Sequence, residues 1–247
     1  MKIHILDNAD DVARAVAVHV SRAVAIKPDL VLGLATGRTP IETYAEIRRM
    51  HAAGEIDFSR TSTFNLDEFA GIAATHPGSF RHFMEAHLFG AVNLRAERVH
   101  FLDGAAPDLD AECERYESAI ESAGGIGIQL LGIGTNGHIG FNEPADVLVA
   151  RTHRVMLLET TRRDNAALFG GRIEDVPREA LSMGMGTILK ASALVLIATG
   201  DRKAACIERM VRGPLTTRLP ASFLQTHRHV HLYLDRAAAS RLGGAAR

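Results

Sequence analysis

The chain repeats one unit: a short apolar run, a turn rich in glycine or acid, then a helix-length segment. Lys2 to Leu6 alternates polar and apolar residues as a half-buried strand does. Asn8 or Asp10 can cap a helix to about Lys27, with Val12, Val16, Val20 and Val24 along one side. Further strands are expected at Leu30–Leu34, Thr61–Leu66, Val99–Leu102, Ile128–Leu131, His153–Leu158, Ala180–Met183, Ala193–Ala198 and His229–Leu234. Between them, Thr39 is expected to cap a helix with Pro40 in its first turn. Ser79 caps the next, Asp108 or Asp110 another, and Thr160 or Thr161 one reaching about Phe169. Short helices are expected at 187–191 and 201–212, and Ala237–Arg247 reads as a frayed helical tail. Strands alternating with helices predict a mostly parallel sheet with helices on both faces. The 247 residues suit a single α/β domain over 1–247 with a sizeable core.

In such sheets ligands bind outside the carboxyl ends of the strands. Four chemically rich segments follow apolar runs directly: Thr36–Thr39, Asp67–Glu68, Gly132–Glu143 and Gly200–Lys203. All four should therefore gather on one edge. The densest is the loop after Ile128–Leu131. It carries Gly132, Gly134, Gly137 and Gly140 with Asn136, His138, Asn142 and Glu143 between and beyond them. Glycines let the backbone turn tightly and approach a ligand. A histidine and a carboxylate held by such a loop are candidates for proton transfer.

Thr36-Gly37-Arg38-Thr39-Pro40 leads into a helix, and free amides and the helix dipole make such a turn an anion site. It is too short for a P-loop and lacks GK[ST]. Lys203, in the first turn of its helix, opposes the dipole and makes sense if it meets an anion. Two such places on one edge suggest a phosphate between them. Asp67, at a strand end, can take a proton from a carbon next to a carbonyl or imine. That job needs a base nearer neutrality than a free carboxylate at about 4, and burial shifts it that way. His138 can move a proton at a ring oxygen, with Glu143 and Asn136 orienting it.

Composition narrows the partners. Hydrophobic residues make up 47% and the formal net charge is −1, with no basic block, so no nucleic acid is expected. The longest apolar runs are too short to span a bilayer, and Met1 leads straight into a strand, so neither membrane nor signal peptide is expected. Cys113 and Cys206 form no CxxC pair. One histidine with one glutamate, and no HxH or HExxH spacing, make a poor metal set. We expect no cofactor, no metal and a cytoplasmic location.

LGLATGRTP (Leu32–Pro40), FNLDEFAG (Phe64–Gly71), HPGSF (His76–Phe80) and LGIGTNGHIGFNEP (Leu131–Pro144) resemble the glucosamine-6-phosphate deaminase family over nearly the whole chain. The related 6-phosphogluconolactonases share the fold and a GxxGH element but not the FNEP that follows here. The resemblance implies a modified Rossmann-like fold, an amino-sugar phosphate as small-molecule substrate, and room for a homo-oligomer. It implies hydrolytic, isomerising deamination of glucosamine 6-phosphate to fructose 6-phosphate and ammonia. By matching positions, Asp67 is the base for enolisation. His138 opens the pyranose ring, supported by Glu143 and by Asn136 holding the imidazole. Thr36, Gly37, Arg38, Thr39 and Lys203 bind the phosphate.

Three departures matter. Arg38 stands where the family usually has glycine. Ala167 matches a position that often carries a phosphate-binding arginine, so Arg38 is expected to supply that cation, with Arg162 and Arg163 as rivals. Asp146, His153 and Val155 do not reproduce the basic cluster of allosteric members, so no activation by an N-acetylated sugar phosphate is expected. Three alternatives stand beside the main reading. They are a galactosamine-6-phosphate deaminase/isomerase giving tagatose 6-phosphate, a 6-phosphogluconolactonase-like hydrolase, and a non-catalytic sugar-phosphate sensor.

Overall fold

A computed structural model describes residues 1–243. In chain order the elements are β1 (Lys2–Leu6), α1 (Ala9–Ile26), β2 (Val31–Leu34), α2 (Ile41–Ala52), β3 (Ser62–Asn65), β4 (Asp67–Phe69), α3 (Phe80–His87) and β5 (Val99–His100). They continue with α4 (Leu109–Ser122), β6 (Ile128–Leu131), β7 (His153–Met156), α5 (Glu159–Asn165), β8 (Glu179–Ser182), α6 (Met185–Leu189), β9 (Ala193–Ala198), α7 (Ala204–Arg212) and β10 (Val230–Asp235).

Seven strands form one sheet in the order β1-β10-β9-β6-β2-β3-β5, and every pairing in it is parallel. The alternation along each strand divides the core between the two faces. Leu194 and Leu196 of β9 pack with Tyr116 of α4, Ile188 of α6 and Ile207 of α7. Val195 and Ile197 of the same strand pack with Val16 and Val20 of α1 and with Tyr44 and Ile47 of α2. Helices therefore cover both faces, as expected of a buried parallel sheet. The valine row predicted for α1 is buried throughout. Caps at Asn8, Ser79 and Asp108 each accept a backbone N–H, fixing three helix starts.

A second sheet departs from the expectation. β4, β8 and β7 pair antiparallel in a three-stranded sheet of their own. Asp67 and Glu68 open its first strand instead of ending the strand before it. Phe69, Phe80, Phe141, Phe169 and Val176 form a separate small core against it. Two caps also differ. Pro40, not Thr39, occupies the cap of α2, and no side chain caps that helix. Leu158 precedes α5, and neither Thr160 nor Thr161 caps it. Residues 236–241 form turns rather than a frayed helix, and the rest of the expected tail beyond 243 lies outside the described residues. Among the described residues no helix is long and apolar enough to cross a membrane.

β2 and β6 are neighbours at the centre of the large sheet. From β2 the chain moves outward through β3 to β5, then returns to β6 on the other side of β2. The order reverses between them, and such a switch point leaves a crevice at the carboxyl ends. The loops that leave β2 and β6 open into it.

Candidate active site

The crevice is lined by Thr36, Gly37, Arg38 and Thr39 after β2, Asp67 of β4, Gly132 to Thr135 and His138 after β6, and Lys203 before α7. The gathering expected of the strand-end segments is therefore present, with Asp67 arriving from the small sheet. Phe80 and Phe141 supply apolar wall. Thr161, Asp164 and Asn165 close the remaining side from α5.

The turn after β2 is shaped by Gly37, whose φ of 95° is in the left-handed region. Tyr44, fully buried on α2, donates its hydroxyl to the Ala35 carbonyl beneath the turn. Because no side chain caps α2, its N-terminal amides are not claimed by a cap. Arg38 is exposed at the crevice. The rival cations are engaged elsewhere. Arg162 donates to the carbonyls of Ile173 and Val176, and Arg163 pairs with Glu159 on the surface. Lys203 Nζ donates to the Ile133 carbonyl at 2.6 Å, and burial lowers its pKa against the opposing pull of Cys206 and Asp164. Its turn is anchored by Gly200 N–H donating to Asp235 at 2.9 Å.

Asp67 is 6% exposed, and among the described residues none donates to its carboxylate. Burial, with a smaller push from Glu68, raises its pKa to about 8. A carboxylate poised there serves as a base near neutral pH. Glu68 is buried too, yet it accepts from the backbone N–H groups of Phe69, Phe80 and Arg81 at 2.8–2.9 Å. Burial outweighs those bonds and places it at about 7.

His138 packs its ring onto Gly134, where an added β-carbon would lie 2.3 Å from it. Its Nδ1 lies 3.4 Å from Glu143 Oε2, long for a hydrogen bond but close for an ion pair. Asn136 donates Nδ2 to that same Glu143 oxygen at 2.8 Å, and its Oδ1 accepts the His138 backbone N–H at 3.1 Å. Asn136 therefore holds Glu143 and the loop rather than the imidazole, which corrects the expectation. Thr161 donates to the other Glu143 oxygen. Burial works against ionisation of Glu143, but the nearby His138 imidazole and the hydrogen bonds from Thr161 and Asn136 outweigh it and lower its pKa. Glu143 and Asn136 stand behind His138 rather than in the lining.

The sequence reading missed Thr161, Asp164 and Asn165. Their signal was available in the i, i+3, i+4 spacing of polar residues on one helix face. Among the described residues no group of three or more histidine, cysteine or acidic side chains is arranged to hold a metal ion.

A raised carboxylate and a carboxylate-backed imidazole thus lie in one crevice at a switch point of a doubly wound sheet, an arrangement suited to acid–base chemistry. The family model for glucosamine-6-phosphate isomerases/6-phosphogluconolactonase matches residues 7–233, and the chain belongs to that family. It is 47% identical to glucosamine-6-phosphate deaminase 2 of Bacillus subtilis (strain 168), over 99% of both chains. It is also 47% identical to the glucosamine-6-phosphate deaminase of Halothermothrix orenii, over 98% of this chain and all of that one. A solved structure of a monomeric glucosamine-6-phosphate deaminase superposes with a TM-score of 0.94 at 40% identity, covering 98% of this chain and 100% of that one. A 6-phosphogluconolactonase from Trypanosoma cruzi shares the fold, with a TM-score of 0.78 at 17% identity over 98% of this chain and 97% of that one.

Proposed function

We propose that the protein is an enzyme converting glucosamine 6-phosphate and water to fructose 6-phosphate and ammonia. Its curated relatives at 45–47% identity over almost the full length are glucosamine-6-phosphate deaminases. The observation that carries the reading is the pairing of Asp67 with His138 in one crevice: a base raised to about 8 and an imidazole backed by Glu143.

The phosphate lies against the turn Thr36–Thr39, with Arg38 and Lys203 as cations. His138 moves a proton at the ring oxygen, and the pyranose opens to the aldehyde. Asp67 takes the proton from C2 and returns it at C1, so the amine-bearing C2 becomes an imine. Water adds there and ammonia leaves, giving the ketose. Lactone hydrolysis would need no base at C2, and the depth at which Asp67 is buried favours the isomerising reaction. The location is a water-filled compartment such as the cytoplasm, and a monomer or homo-oligomer serves this chemistry equally.

Ammonia release from glucosamine 6-phosphate and galactosamine 6-phosphate, measured side by side, tests the reading. We expect turnover of the first in clear excess over the second. No ammonia from glucosamine 6-phosphate would overturn it.

A further inference from the structure

We infer that Thr161 is a positioning residue for the reaction: its hydroxyl fixes the Glu143 carboxylate so that one oxygen is left to face His138. The inference rests on the roles proposed above for His138 and Glu143.

Three observations carry it. Both Glu143 oxygens are claimed, but by different elements: Asn136 of the loop after β6 donates to Oε2, and Thr161 of α5 donates to Oε1. Both Thr161 and Glu143 are buried, at 4% and 8% exposure, so water does not readily replace the hydroxyl. Thr161 does not cap its helix, so its hydroxyl is free to donate to Glu143.

A carboxylate can turn about its last bond. Held at one oxygen, it could swing Oε2 away from His138 Nδ1. Held at both, it keeps that oxygen at 3.4 Å while Asn136 shares it. The titratable group facing Glu143 is His138, and α5 faces it with Thr161. Thr161 lies on the same helix face as Asp164 and Asn165, which line the crevice, and Asn165 Nδ2 donates to the Thr161 carbonyl at 2.9 Å. The wall of the substrate site and the support of the imidazole therefore belong to one helical turn. A charged oxygen deprived of a buried donor is also easier to protonate.

Thr161→Val keeps the shape of the side chain and removes the donor; Thr161→Ser keeps the donor and removes the methyl. In Thr161→Val, kcat for ammonia release from glucosamine 6-phosphate should fall roughly ten- to a hundredfold, the span expected for one hydrogen bond to a charged group. KM should stay within about twofold, because the residue touches Glu143 and not the phosphate turn. Thr161→Ser should restore kcat to within a few-fold. The Glu143 side-chain carboxyl, followed by carbon NMR in the substrate-free protein, should titrate at higher pH in Thr161→Val than in the unmodified chain. That measurement stands even if the unmodified chain releases no ammonia, which would overturn the proposed function alone. An unmoved Glu143 titration in a folded Thr161→Val protein overturns the inference. So does a Thr161→Ser protein as impaired as Thr161→Val, which would place the role in the methyl group.

Discussion

Asp67 and Glu68 are consecutive buried carboxylates with opposite surroundings: Glu68 accepts three backbone N–H groups, while none of the described residues donates to Asp67. Glu68 thereby ties β4 to the first turn of α3, and Asp67 is left to burial. Both are raised, Asp67 from 3.8 to about 8 and Glu68 from 4.5 to about 7. The folded protein therefore holds protons that the unfolded chain has released, and stability falls as pH rises. The Asp67 contribution is full below 3.8 and is lost as pH rises through about 8. Asp67→Asn no longer titrates. Between pH 4 and 8, the fall in its urea-unfolding free energy should be shallower by an amount on the order of a few kcal/mol. Parallel curves for the two proteins would contradict the assigned burial.

The same substitution separates stability from catalysis. Asp67→Asn should fold and bind glucosamine 6-phosphate, yet lose about 10²–10⁴ in kcat, the usual contribution of a positioned base. In the unmodified chain, kcat/KM should fall as pH drops below about 8, because the base is then protonated. Steady-state ammonia release across pH 5 to 9 provides the check. A kcat retained by Asp67→Asn would move the chemistry away from C2 and toward a reaction that needs no carbon acid.

In the proposed reaction the phosphate end falls to Arg38, which lines the crevice. Arg162 is committed to two carbonyls and Arg163 to Glu159, so neither is placed to substitute for it. Arg38→Ala should raise KM for the phosphorylated substrate about tenfold, the lower end for a charge-assisted bond because the residue is exposed. The increase should shrink with added salt. Arg163→Ala should leave KM unchanged. An unchanged KM in Arg38→Ala would remove it from the site.

Tyr44 supports that turn from below. Its ring is fully buried, and its hydroxyl reaches the Ala35 carbonyl. Tyr44→Phe leaves a buried acceptor unpaired and should cost about 1–3 kcal/mol in urea unfolding. KM should rise with it, because the turn loses its anchor. A stability loss with KM untouched would show that the turn holds its shape without the bond.

How far the sequence reads depends on where each decision is made. The parallel strands of the large sheet are buried on both faces, so they appear as plain apolar runs such as Ala193–Ala198. Asn8, Ser79 and Asp108 bond to amides two or three residues ahead, and such caps are local. The small sheet is not local. Asp67-Glu68-Phe69 carries no apolar run, and its strand exists because Ser182, Leu181 and Ala180 pair with it from far along the chain. Asp67, His138 and Lys203 were legible because each follows an apolar run. Thr161 was misread as a cap because its true partner, Glu143, is eighteen residues away and belongs to another loop. Asn136 was given to the imidazole, since spacing alone does not tell which of two neighbours an amide will meet.

Asp164 is the residue whose sign is most surprising. It shares the crevice with Arg38 and Lys203, and its negative charge pulls the Lys203 pKa up against burial. A carboxylate opposes phosphate binding at the site proposed here, yet it also keeps the two cations from repelling one another unanswered. The bound phosphate carries more charge than Asp164, so its repulsion is the larger consequence once substrate arrives. Asp164→Asn should therefore lower KM for glucosamine 6-phosphate by roughly two- to fivefold, and strengthen inhibition by inorganic phosphate by a similar factor, most clearly at low ionic strength. Stability should change little, since the side chain is exposed. If KM rises while phosphate inhibition strengthens, Asp164 binds a sugar hydroxyl and its place is in substrate recognition. If both weaken, its main effect is to hold Lys203 in place.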